Sequence, residues 1–142
     1  MYHDLHSHTA SLLQDSFELY MKMLSWAHLN FDMQSFLLCE NHPLNERREE
    51  ALQTLGYTHH IPENILERKQ LFEREGFFSV SQTGKRIVAY VLQNNGLDQS
   101  KFEQIEESIQ SAYQDVKAHY PPNDLLDKTL QHALDTLAVF KH

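Results

Sequence analysis

Residues 71–92, LFEREGFFSVSQTGKRIVAYVL, decide how the rest of this chain is read. Leu71 to Glu75 continue a helical pattern, and Gly76 is placed to stop it. Phe78 and Val80 then alternate with Phe77, Ser79 and Ser81, as on the two faces of a strand. Thr83-Gly84-Lys85 has the composition of a turn, and Ile87 to Leu92 is rich in β-branched and aromatic residues. The stretch predicts a helix end followed by a β-hairpin, the only β signal in 142 residues.

On either side the pattern is helical. After the capping residues Ser7, Thr9 and Ser11, apolar residues fall at Leu13, Phe17, Tyr20, Leu24, Ala27 and Phe31, a heptad seam. This predicts an N-terminal helical region over 11–42 that continues or bends near Asn30, runs on through Leu38 and is closed by His42-Pro43. A charged helix from Asn45 to Leu55 is capped by Asn45 and stopped by Gly56. Another is predicted from Pro62 to Glu75, burying Ile65, Leu66 and Phe72. Beyond the Asn94-Asn95-Gly96 break, two further seams define a helical hairpin over 97–142. One carries Phe102, Ile105, Ile109, Ala112 and Val116; the other carries Leu126, Leu130, Ala133, Leu137 and Phe140. Pro121-Pro122-Asn123 divides them, with Asn123 as cap, and so short a break predicts antiparallel packing. The expected fold is one mainly α domain with a single β-hairpin.

Charge narrows the function classes. The chain carries −8 overall, yet between Pro43 and Asn95 seven Lys/Arg balance seven Asp/Glu. All the excess acidity therefore lies outside the hairpin region, and a neutral segment permits contact with DNA. The single cysteine, Cys39, excludes an internal disulfide framework and reads as a small buried hydrophobe. No apolar run approaches a membrane span, and the N-terminus lacks the apolar core of a signal peptide, so a cytoplasmic protein is expected. Ten scattered histidines include no pair four apart with an intervening acid on one helix face, so no metalloprotease motif is present. No metal, cofactor or catalytic constellation is expected.

The order helix, helix, helix and hairpin over about residues 35–92 resembles a winged helix-turn-helix. That resemblance makes Pro62–Glu75 the recognition helix, with His59, His60 and Asn64 toward bases and Arg68 and Lys69 toward bases or phosphates. Lys85 and Arg86 would reach DNA from the wing tip. Winged-helix regulators commonly pair through flanking helices, so Phe102, Ile105, Ile109, Val116, Leu126, Leu130, Leu137 and Phe140 become candidates for a homodimer interface. The reading is a homodimeric DNA-binding regulator without catalysis. Against it, Glu63, Glu67, Glu73 and Glu75 would repel phosphates, which favours a second reading, a non-enzymatic acidic adaptor that binds a protein partner. A remote third comes from DLHSHTAS at the N-terminus, which resembles the opening metal motif of the PHP phosphoesterases, with His6 and His8 as ligands. That family needs a barrel, and the remaining pattern here is helical.

Overall fold

The computed structural model describes residues 2–39, 43–94 and 99–141; side chains are described from Phe17 onward, those of Asn94 and Gln99 excepted. Within them the expected hairpin is a helix. Val80–Asn94 forms one continuous α-helix, and no strand occurs among the described residues. Ser79 starts it, with its Oγ accepting from the backbone N–H of Gln82 at 3.2 Å. Ser79-Val80-Ser81-Gln82 is the sequence pattern of a helix-opening capping box. The run IVAYVL does not alternate, so its residues serve a helix as readily as a strand. Ile87, Val88 and Val91 then fall on one helical face, all buried.

The described residues form six helices: α1 (Tyr2–Leu38), α2 (Glu46–Leu55), α3 (Ile65–Arg68), α4 (Val80–Asn94), α5 (Phe102–His119) and α6 (Asp124–Ala138). Short 3-10 turns occupy Lys69–Leu71 and Gln99–Lys101. The expected recognition helix over Pro62–Glu75 shrinks to α3 and the 3-10 turn after it, and Leu66, expected inside, is exposed. Gly76 does not stop a long helix. It lets the backbone double back, because a Cβ there would lie 2.5 Å from the Leu71 carbonyl oxygen and 2.6 Å from that of Gln70.

Local signals elsewhere act as expected. The Asn45 side chain accepts from the Arg48 N–H at 2.9 Å, and that of Asn123 from the Leu126 N–H at 2.8 Å. Gly56 adopts φ 95° and closes α2. Its N–H bonds to the Gln53 carbonyl, and the Tyr57 N–H reaches back to Leu52, which is the Schellman arrangement.

α1, α4, α5 and α6 make a bundle. Contacts advance together along α1 and α5, from Tyr20–Ser111 through His28–Asp115 to Asp32–Tyr120, so these helices run parallel. α4 and α6 run the other way. α5 packs mainly on α1, and α6 mainly on α4, so the two arms of the expected helical hairpin find their principal partners elsewhere. Gly84, expected at a turn, is the point where α4 meets α6: an added Cβ would lie 2.6 Å from the His132 ring and 3.2 Å from the Ala133 nitrogen.

α1 has 37 residues, about 55 Å at helical rise, and of the two courses expected at Asn30 it takes the continuous one. Its buried stripe is Leu19, Met23, Ala27 and Phe31, rotated from the predicted seam, and Phe17 of that seam is 64% exposed. Those four residues meet Ile87, Ile105, Ile109 and Leu137 in the main core. Farther along, Met33 and Leu37 pack with Leu52, Leu55, Tyr57 and Phe78 in a second core, which holds α2 and the 57–78 connector against the end of the bundle.

Candidate functional site

The residues expected to read DNA are scattered by this fold. His59, His60, Asn64, Lys69 and Lys85 are exposed. Arg68 is 2% exposed, and its Nε donates to the Pro62 carbonyl at 2.6 Å. Arg86 points inward. Its Nε donates to Asn30 Oδ1 at 2.7 Å and its Nη1 to the Phe77 carbonyl at 2.9 Å, while the guanidinium lies 4.0 Å from the centroid of the Phe77 ring. Its carbonyl accepts from the Trp26 indole at 3.0 Å. Burial lowers its pKa to about 10. Lys85 and Arg86 therefore do not share a wing tip: one faces solvent on α4, and the other ties α4 to α1 and the 77–78 turn.

The expected dimer residues are used within one chain. Phe102, Ile105, Ile109, Val116, Leu126 and Leu137 are buried in the main core, and Leu130 packs against it partly buried. Only Phe140 keeps substantial exposure, at 36%. His6 and His8 fall in the opening turns of α1, where the backbone is helical; their side chains lie outside the described residues. Among the described residues no group of three His, Cys, Asp or Glu side chains could hold a metal. None of the described helices is long and apolar enough to cross a membrane.

Among the described residues a recess of about 680 Å³ lies where the end of α1, the start of α2 and the α5–α6 turn meet. That volume lies in the range of small-molecule sites. Phe36, Leu38, Pro121 and Pro122 form apolar walls, and Arg48 and Asn123 supply polar groups. Arg48 is held from behind. Its Nη1 pairs with Asp32, and its Nη2 lies 3.4 Å from the Tyr120 hydroxyl. That hydroxyl donates to the other Asp32 oxygen at 2.6 Å. The guanidinium also lies 4.2 Å from the centroid of the Phe36 ring.

Electrostatics follow from this arrangement. Burial works against the Arg48 charge, but Asp32 and Tyr120 together outweigh it and hold the pKa above its ordinary value. Burial pushes the Tyr120 phenol up to about 12, reinforced by its hydrogen bond to Asp32 and that carboxylate's charge. Cys39, at the rim, donates its thiol to the Ser35 carbonyl at 3.4 Å, and burial raises its pKa, so it is no activated nucleophile.

The recess escaped sequence reasoning because its polar network joins Asp32, Arg48 and Tyr120, which no spacing rule connects. Asn123 was legible, but only as a helix cap. Comparison with protein-family models, curated proteins and solved structures finds no match to this chain.

Proposed function

We propose that this chain is a non-catalytic interaction module whose acidic surface binds a basic region of a protein partner. One observation carries the reading. Between Pro43 and Asn95 the sequence is neutral, but its surface is not: all seven glutamates are exposed, whereas only Arg47, Lys69, Arg74 and Lys85 of the seven cations are. Arg68 and Arg86 face inward, and Arg48 is committed to Asp32. The segment that would have met a phosphate backbone thus presents seven carboxylates against four cations, and such a surface repels DNA. Glu49 and Glu63 line one recess of about 460 Å³ together with Leu44, Ile61 and the buried Arg68, so two exposed carboxylates outnumber the one arginine there, and a partner's lysine or arginine can set its stem on the apolar surface beside them.

The test compares the wild-type chain with a Glu49→Lys, Glu63→Lys, Glu67→Lys variant, each immobilised and exposed to cell extract at about 0.1 M salt, where charge steering is only partly screened. The expected result is a stoichiometric partner held by the wild type, released by high salt and lost by the variant. Equal retention by both chains, or a salt-sensitive gel shift of DNA by the wild type, contradicts the reading.

A further inference from the structure

We propose that the recess bounded by Phe36, Arg48, Tyr120 and Pro121 is a binding site for a carboxylate carried on an apolar body. The assignment stands apart from the protein-binding reading, because it uses a cation and not the acidic surface.

A donor and acceptor account fixes the polarity of the ligand. Arg48 has five N–H donors, and Asp32, Met33 Sδ and Tyr120 engage three of them. Asn123 commits its Oδ1 to the Leu126 N–H, which leaves its amide nitrogen as the uncommitted end. Ser35 lines the same recess; it is 2% exposed, and its Oγ is buried with no hydrogen-bond partner. The Cys39 thiol is spent on the Ser35 carbonyl. His119 donates Nδ1 to the Asp115 carbonyl at 2.7 Å, and its other nitrogen accepts when neutral and donates when protonated. The spare capacity is therefore mostly that of donors, and its complement is a group rich in acceptors.

Charge and shape narrow the class. Among the described residues Arg48 is the one arginine or lysine lining the recess, and Asp32 balances part of its charge. A head group with a single negative charge fits better than a phosphate dianion. A planar carboxylate matches the fixed edge of a guanidinium, and the Asp32 and Tyr120 contacts hold Arg48 ready before any ligand arrives. Phe36, Leu38, Pro121 and Pro122 then offer apolar surface to the body of the ligand. The carboxylate can belong to a free monocarboxylic acid or to the C-terminus of a peptide ending in an apolar residue.

The test is calorimetric titration of the full chain with octanoate, with octanol, and with a short leucine-terminated peptide as free acid and as amide. Saturable one-site binding of at least one carboxylate is expected, with about tenfold weaker binding of its neutral counterpart, since a charge-assisted hydrogen bond contributes about 1.5 kcal/mol or more. Whichever acid binds identifies the source. Asn123→Asp keeps a good helix cap but puts a carboxylate where the amide donor stood, so it weakens binding about tenfold at unchanged helicity. Ser35→Ala removes an unpaired hydroxyl, so it weakens binding without lowering the melting temperature. Absence of saturable binding by either acid, equal affinity for acid and neutral counterpart, or unchanged affinity in both variants overturns the proposal.

Discussion

Residues 102–138 and residues 80–94 both form helices of the bundle, but different features of the sequence make them so. In the first region apolar residues recur at spacings of three and four over many turns, and Asn123 and the proline pair mark the boundary. No strand can satisfy that pattern, and α5 and α6 lie where it puts them. In the second region IVAYVL is apolar on every side, so periodicity does not choose between helix and strand. The deciding residues there are not apolar. Ser79 and Gln82 open the helix, and Gly84 is absent of side chain because α6 lies against it. Capping chemistry thus outranks β-branched composition where an apolar run is continuous.

Arg86 and Lys85 separate a core helix from a wing. If residues 80–94 formed a wing, Lys85→Ala and Arg86→Ala would both leave stability alone. With Arg86 inside, its removal strands Asn30 and the Phe77 carbonyl and empties the space over the aromatic rings. Arg86→Ala is then expected to cost about 4 kcal/mol in urea unfolding, from two unsatisfied buried groups and lost packing, whereas Lys85→Ala stays within about 0.5 kcal/mol.

Next comes a test of the better-read region. Ile109 is 0% exposed within one chain, and Ile109→Ala is expected to cost about 3 kcal/mol as a core truncation. Because the seam packs inside the chain, the wild-type melting temperature should not move across a hundredfold dilution. A strong rise with concentration would return these residues to an interface between copies.

Gly84→Ala is the third. A helical glycine open to solvent gains about 1 kcal/mol of propensity when replaced by alanine. Here the methyl group meets the His132 ring and the Ala133 backbone, and overlap of that kind costs about 1–3 kcal/mol, so net destabilisation is expected. A more stable variant would mean that α4 and α6 are not in contact.

The smallest effect is a change with pH. The Tyr120 phenol is pushed up to about 12 in the folded chain, against an ordinary value of 10. Between those values the unfolded tyrosine has lost its proton and the folded one keeps it, so stability falls as pH rises through that window. Tyr120→Phe should flatten this part of the profile. An unchanged slope in alkaline urea titrations would show that Tyr120 does not hold its proton on Asp32.

What could be read from the sequence was local. The Asn45 and Asn123 caps, the Gly56 stop and the helical seams of α5 and α6 depend on residues within a turn or two of one another. The heptad of α1 was half legible: Ala27 and Phe31 face the core, but the stripe turns toward Leu19 and Met23 instead of Phe17, because a straight helix drifts against a period of 3.5. Arg86 was misread because an arginine after a Thr-Gly-Lys looks like a turn cation until Asn30, Phe77 and Trp26 are brought around it. The recess at Arg48 had no local signature, since Asp32 and Tyr120 lie far apart in sequence. Neutral composition over 43–95 likewise concealed an acidic surface, because burial sorts charges by sign and a residue count does not.

Residues 80–94 form a core helix with Arg86 on its inner face. Backbone chemical shifts from NMR measure this residue by residue. Helical Cα and Cβ secondary shifts running unbroken from Val80 to Val91 are predicted. Strand-like shifts over Ile87–Leu92 with a turn at Thr83–Lys85 would instead mean a β-hairpin with Arg86 outside the core.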